Sequence, residues 1–226
     1  MPRDEEVVQV MDGFYQIAGI PGVVGAVDGT HVAIQAPTTA EWHYVNRKGY
    51  YSINVQVVAD HNMIIRHLVA RWPGSTHDSF IWENSSIRDS FHNGHREGII
   101  LGDSGYPLRP YLLTPVSRPE TASEIRFNEA HCATRVCVER TFGLLKSRFR
   151  CLAKSGGHLL YAPDKVCRII TACCVLHNLA RSYQLPAPNE GQVDADPDAD
   201  PVLHVGARND ALAGRDFRRN LIQQRF

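Results

Sequence analysis

No run of about 18 consecutive apolar residues occurs in the 226-residue chain, and its opening MPRDEEVVQV is charged. These residues fit neither a membrane span nor a signal peptide. There is no CxxC pair: the six cysteines, at 132, 137, 151, 167, 173 and 174, follow no regular framework. In a chain of this size that reads as reduced thiols in a cytosolic or nuclear protein. Cys173, Cys174 and His177 have the chemistry of zinc ligands, but adjacent cysteines on an apolar stretch read first as core. Lysine is scarce, since 20 of the 24 basic residues are arginine, the side chain suited to bidentate phosphate contacts. Internal repeats are lacking, and the formal net charge is zero.

That zero conceals an asymmetry. Residues 125–181 hold ten Lys/Arg against three acids, a local charge of +7, which the acidic run DADPDAD at 194–200 masks. A basic stretch is often only a solvated face, so by itself it argues weakly for nucleic acid. Hydrophobic content of 43% and charged content of 21% are ordinary for a globular protein, and the length suits one α/β domain.

The first dozen residues look like part of a helix, and Ile20-Pro21-Gly22 breaks the chain after it. Val23–Asp28 is an apolar run ending at a carboxylate and Gly29, which predicts a strand buried on both faces. His31–Gln35 alternates. After an Asn46-Arg47-Lys48-Gly49 turn, residues 51–59 alternate apolar with Ser52, Asn54 and Gln56, the clearest strand signal in the chain. Asp60-His61-Asn62 turns into a third antiparallel strand, 63–72. A helix is expected from Ser75, with Asp78 as its capping partner, to about Phe91. Gly98–Asp103 repeats the pattern of an apolar strand ending at an acid. Helices are expected over 128–154 and 164–183, the second buried through Val175-Leu176. Residues 185–209 read as a mobile Pro/Ala/Asp-rich linker and 211–226 as a short basic helix.

Asp28 and Asp103 thus end two separate apolar strands, and parallel strands would bring those ends together. Hard divalent cations select such oxygen ligands and can activate water for phosphodiester hydrolysis. Either aspartate alone fits a plain strand-ending turn equally well. On the helix after Asn128, Val138, Phe142, Leu145, Phe149 and Leu152 form one apolar stripe. Arg135, Glu139, Gly143, Lys146 and Arg150 form the stripe beside it. Glu139 therefore borders the core with cations on its own face, and Gly143 one turn on leaves room for substrate or backbone. An i,i+4 charge ladder from Arg135 to Glu139 explains the same spacing.

Five ordered blocks make the reading more specific: IAGIPGVVGAVDGTH at 17–31, NRKGYYSINVQ at 46–56, PGSTHDS at 73–79, LGDSGYPL at 101–108 and VERTFGLLKSRF at 138–149. Together they resemble the PIF/Harbinger family of DDE transposases and their domesticated nuclease-like descendants, over about residues 13–181. The 35 residues between Asp103 and Glu139 match the spacing of many such enzymes. The resemblance implies a ribonuclease H-like DDE nuclease fold, α/β, with a mixed central sheet flanked by helices. The element order, three strands, a helix, a strand and then helices, agrees with that.

The resemblance also implies roles. Asp28, Asp103 and Glu139 would be the catalytic acids, holding Mg²⁺ or Mn²⁺. Asp78 would be a fourth metal ligand, or a helix cap, and His31 and His77 would orient water or phosphate, or simply end their elements. Arg47, Lys48, Lys146 and Arg150 would contact DNA backbone. The implied function is a divalent-metal-dependent DNA endonuclease in the nucleus, with the cytoplasm as a second location and a Myb-like accessory protein as partner. The alternative is a catalytically silent domesticated transposase acting as a DNA-binding or protein-interaction module; cleavage of RNA–DNA hybrids follows from fold analogy alone. Family members carry a helical DNA-binding region ahead of the nuclease domain. The expected organisation is therefore a remnant of that region at 1–22, the nuclease domain at 23–184, and the linker with its basic helix at 185–226.

Overall fold

The computed structural model describes residues 1–2, 4–186 and 211–226. Residues 187–210, which include most of the expected 185–209 linker, lie outside the described residues. Five strands form one mixed sheet in the order β3-β2-β1-β4-β5. β1 (Val23–Ala33), β2 (Ser52–Ala59) and β3 (Ile65–Pro73) are antiparallel neighbours, while β4 (Ile99–Leu101) runs parallel to β1 and β5 (Leu112–Leu113) parallel to β4. The turn from β2 to β3 is built by buried Asp60. Its Oδ1 accepts from the amides of Asn62 and Ile64 at 2.8 and 3.0 Å, and Oδ2 pairs with Arg66 at 2.7 Å. The alternation of side chains across the pleat gives the sheet two cores. Ala26, Val32, Ile53, Val55, Val57, Leu101 and Leu113 point to one face, and Val24, Val27, Val58, Ile100 and Leu112 to the other.

The first face is covered by α1 (Asp4–Ala18), α4 (Ala122–Arg148), α5 (Pro163–Ser182) and α6 (Leu212–Arg225). α1 sends Val10 and Phe14 into that core, one helical turn apart, and α6 contributes Leu221 and Ile222. The second face is covered by α2 (Asp78–Glu83) and α3 (Ser86–His92), whose Trp82, Ile87 and Phe91 close over Tyr106.

Several expected boundaries move, each for a local reason. The runs 23–28 and 31–35 are one strand, so Asp28 lies inside β1 and does not end it. The single helix expected over 75–91 is two, because Ser85 is extended and caps the second: its Oγ accepts from the Arg88 amide at 3.3 Å and donates to the Trp82 carbonyl at 2.7 Å. The start of α4 lies at Ala122, not Asn128, set by a capping box between Thr121 and Glu124. Asn128 instead clamps the backbone of Val116, accepting from its amide at 2.8 Å and donating to its carbonyl at 2.9 Å. The helix ends at Arg148, where two short 3-10 turns (Arg150–Leu152, Lys154–Gly156) replace the expected last turn. Strand β5 is only two residues long because it lies in a segment punctuated by Pro107, Pro110, Pro115 and Pro119. On α5, Ile170, Cys173, Cys174 and His177 are buried, but Val175 and Leu176 are half exposed, so the apolar run is a partly solvated face and not a buried span.

Two titrating features lie in the core. Cys173 and Cys174 are buried thiols, pushed up to about 11 and about 12, chiefly by burial. Among the described residues no three His, Cys, Asp or Glu side chains stand together as a metal site, and His177 beside these thiols hydrogen bonds through Nε2 to the Met63 carbonyl at 2.9 Å. His131, 2% exposed on α4, hydrogen bonds through Nε2 to the Leu113 carbonyl at 3.1 Å. Burial lowers its pKa to about 4, with Arg135 and Arg218 adding repulsion. A depressed histidine favours the fold above its unfolded value near 6.5 and loses that contribution as pH falls toward 4. Urea unfolding of wild type should therefore lose up to about 3 kcal/mol from this group between pH 7.5 and 4, and His131→Gln should show a correspondingly flatter pH profile.

Candidate functional site

The register of the sheet brings the two aspartates together. Ala26 of β1 pairs with Leu101, the last residue of the parallel β4, on strands about 5 Å apart. Asp28, two residues further on in β1, and Asp103, two residues past the end of β4, therefore lie on the same side of that pair, close enough for the Asp103 charge to act on Asp28. β4 has only three residues and ends just before Gly102-Asp103. The sheet therefore stops beside Asp28, and groups from both of its faces reach the same opening.

From the α4 face comes Arg135. Its Nη1 donates to Asp28 Oδ2 at 2.7 Å, and its Nη2 pairs with Glu139 Oε1 one turn along the helix. The charge ladder is real, but it reaches further than a ladder: one guanidinium ties together acids 107 and 4 residues away. Arg135 is 7% exposed. Burial alone would weaken its charge; the neighbouring Asp28, Glu139 and Asp103 outweigh that and strengthen it.

From the other face comes Asp78, the first residue of α2. The residue that caps this helix is His77, whose side chain makes no capping hydrogen bond, and Ser75 lies outside it, so the expected Ser75–Asp78 capping pair does not form. The Asp78 carboxylate turns to the sheet, where Asn54 Nδ2 donates to Oδ1 at 2.8 Å and also to the Thr76 carbonyl at 2.8 Å. Gln56 Nε2 bonds the Asp78 carbonyl and the Tyr106 hydroxyl, both at 3.1 Å. Gly29 makes this approach possible, since a Cβ there would lie 2.5 Å from Asp78 Oδ1. Asn54, Gln56 and Tyr106 are buried, and sequence reasoning did not single them out. The signal was the alternation of Ser52, Asn54 and Gln56: a polar strand face that is covered by a helix has to be hydrogen-bonded to something.

The electrostatics follow from this crowding. Burial pushes the Asp28 carboxyl up to about 7; the charges of Asp103 and Asp78 push the same way, against Arg135 and the Gly29 amide, 2.8 Å from Oδ1. The side chain keeps 17% exposure, so water moderates the effect without removing it. Tyr106, buried beneath the same acids, is raised well above an ordinary phenol by burial first and then by Asp78, Asp28 and Asp103. Asp103 Oδ1 accepts from the Gly105 amide at 2.9 Å.

As a donor set, four carboxylates with only oxygen ligands fit Mg²⁺ or Mn²⁺. Among the described residues, however, no three of them stand at the spacing of a ready-made metal site, and Arg135 holds one oxygen each of Asp28 and Glu139. Divalent metal would thus share these acids with an internal cation.

The basic residues divide. Arg47 and Lys48 are exposed at the tip of a small hairpin closed by the Val45–Tyr51 bridge, and Arg47 Nη2 lies 2.6 Å from Nδ1 of His77, next to Asp78. Lys146 is 3% exposed, its ammonium 3.3 Å from the His31 carbonyl, a position that braces α4 on β1 and does not face a DNA backbone. Arg150 lies past the end of α4, more than about 13 Å along the axis from Glu139, and hydrogen bonds Ser155 at 3.3 Å. Gly143 is buried within α4. His31 is buried against Ser52 Oγ at 3.0 Å.

Residues 27–178 match the family model of DDE superfamily endonucleases. The chain is 46% identical over 202 residues to "Putative nuclease HARBI1" of Bos taurus, covering 87% of this chain and 58% of that protein. The human protein of the same name is 44% identical over 202 residues, with the same coverage. A plant relative, "Protein ALP1-like" of Arabidopsis thaliana, is 30% identical over 190 residues, 76% of this chain and 46% of that protein. The chain thus spans a little over half the length of the animal relatives. No solved structure matches. The chain belongs to the DDE superfamily endonucleases.

Proposed function

We propose that the chain is a divalent-metal-dependent DNA endonuclease of ribonuclease H-like fold, hydrolysing phosphodiester bonds by a two-metal DDE mechanism in the nucleus. The strand order 3-2-1-4-5, with three antiparallel strands followed by two parallel ones, supports the fold. The observation that carries the function is the approach of Asp103, just past the end of β4, to Asp28 on the neighbouring parallel strand, with Glu139 drawn to Asp28 through Arg135.

In this reading Asp28, Asp103 and Glu139, with Asp78, hold Mg²⁺ or Mn²⁺. Such ions supply an activated water and stabilise the leaving oxygen. The protein's own part is to concentrate carboxylate charge at one opening of the sheet, keep Asp78 in place through Asn54 and Gln56, and present Arg47 and Lys48 to the phosphates on either side.

A second reading has an observation of its own. Arg135 already neutralises two of the acids, as it would in a silent descendant that binds DNA or protein without cutting. Nicking of supercoiled plasmid by the purified chain in Mn²⁺, beside calorimetry with the metal alone, separates the two. The nuclease reading expects millimolar or tighter Mn²⁺ binding and nicking abolished by EDTA. Nicking that persists in excess EDTA rules out the metal mechanism, and no metal binding at millimolar concentration favours the silent module.

A further inference from the structure

The 18 residues between β1 and β2 carry an exposed surface that the acids do not explain. Within them lies a 3-10 helix, Glu41–Tyr44, whose Trp42 is 68% exposed. The other two tryptophans differ: Trp82 is fully buried and Trp72 is partly covered, edge to face with Phe80. Leaving an indole in water forgoes a large hydrophobic gain, and the Trp42 ring meets only the edge of the His43 ring, at 5.6 Å between centroids, so one of its faces is open to a ligand. Five and six residues on, Arg47 and Lys48 are exposed on the hairpin tip.

This excursion is fastened to the acid site. The Ser75 amide donates to the His43 carbonyl at 3.0 Å, and the backbone of Gly74 fits so closely that a Cβ there would lie 2.5 Å from the Tyr44 carbonyl. Arg47 meets His77. Each of these three contacts falls on residues 74–77, which lead directly into Asp78. The position of Trp42 is therefore tied to that of the carboxylates by short, rigid links. The same excursion also lines a cleft of about 460 Å³ through Thr38, Thr39 and Tyr44, together with Leu160, Tyr161 and Asp164. Lys165 lies 3.8 Å over the Tyr161 ring.

Aromatic faces interleaved with cations, beside a phosphodiester-cutting site, are what unpaired nucleic acid requires: bases stack on the rings and the backbone follows the charge. A duplex buries its bases against one another and offers an indole nothing to stack on. We propose that the β1–β2 excursion binds an unpaired stretch of DNA next to the scissile phosphate, with a base on Trp42 and its flanking phosphates on Arg47 and Lys48. The inference rests on the DNA reading above and sharpens it, since the preferred substrate becomes a duplex with a frayed or single-stranded flank.

The full chain can be titrated with an oligo-dT strand and with a blunt duplex, without divalent metal, while tryptophan emission and anisotropy of labelled DNA are followed. The dT strand should quench the emission of wild type. Trp42→Ala should weaken dT binding by about tenfold, within the range known for one stacked base, with Trp42→Phe in between and blunt-duplex affinity changed less than twofold. Arg47→Ala should lower the salt slope on single strands by about 0.7. The melting temperature of Trp42→Ala should hold, because its side chain is largely in water. Equal losses on both DNAs, or none on either, would overturn the stacking proposal while plasmid nicking by wild type leaves the nuclease reading standing. A wild type that neither binds DNA nor nicks plasmid would remove both.

Discussion

Asp103→Asn and Glu139→Gln are each expected to reduce Mn²⁺-dependent strand cleavage by about a thousandfold while leaving the fold intact. Each amide keeps the shape of the side chain and removes one negative charge. At Asp103 the new amide oxygen can still accept the Gly105 amide that Oδ1 accepts now at 2.9 Å, so the turn after β4 survives. At Glu139 a glutamine oxygen can still accept from Arg135, and the side chain is 25% exposed, so losing the ionic part of the pair costs well under the value of a buried one. Catalysis is more sensitive, because metal-held charge contributes several kcal/mol to phosphodiester cleavage, and about 4 kcal/mol is a factor of a thousand. Single-turnover nicking rates, with melting temperatures as the folding control, measure both sides. If both folded variants kept more than a tenth of the wild-type rate, the assignment of these acids would fail.

How far the sequence foretells this site depends on what each residue needs. Asp28 and Asp103 were legible because each follows an apolar run, Val23–Val27 and Ile99–Leu101, and such runs mark strands wherever they fold. Glu139 was legible through the helical stripe it borders. Asp78 is half legible: the family resemblance makes it a metal ligand and its spacing to Ser75 a helix cap, and only the cap is excluded, because its partners Asn54 and Gln56 lie 24 and 22 residues away on a strand. The same holds for Arg135. Spacing along α4 reveals its pairing with Glu139, but the 107-residue contact with Asp28 exists only once α4 has packed across β1. Lys146 errs the other way, since a cation on the stripe next to the core looks like a phosphate contact until the helix is docked and its ammonium meets the His31 carbonyl. Periodicity reports which face of an element is buried, and it does not say what lies opposite.

The docked Arg135 leads to the second large effect. Arg135→Ala should cost about 2–3 kcal/mol of stability at pH 8. Removing one partner of a fully buried ion pair costs 3–5 kcal/mol, and here Asp28 and Glu139 keep 17% and 25% exposure, which trims the figure. The loss should be smaller at pH 6. Asp28 is a carboxyl raised to about 7, by burial first and by Asp103 and Asp78 next, so its ionised form is the unfavourable one in the folded state. Such a group favours folding at low pH and loses that contribution as pH rises through about 7. Without the guanidinium the carboxyl rises further, so protonation relieves the variant at pH 6 but not at pH 8. Arg135→Lys keeps a charge but cannot fork between two carboxylates, and should fall in between. Divalent metal gives an independent reading of the same site. If the acids hold Mn²⁺ in competition with Arg135, millimolar Mn²⁺ should raise the stability of Arg135→Ala more than that of wild type, since removing the internal cation tightens metal binding. Urea denaturation at pH 6 and pH 8, with and without Mn²⁺, measures these differences. Equal losses at the two pH values would mean that Arg135 is screened by water and does not control the charge of Asp28. Equal Mn²⁺ stabilisation in both proteins would mean that metal and guanidinium do not compete for the same oxygens, and that Arg135 belongs to the architecture of α4 alone.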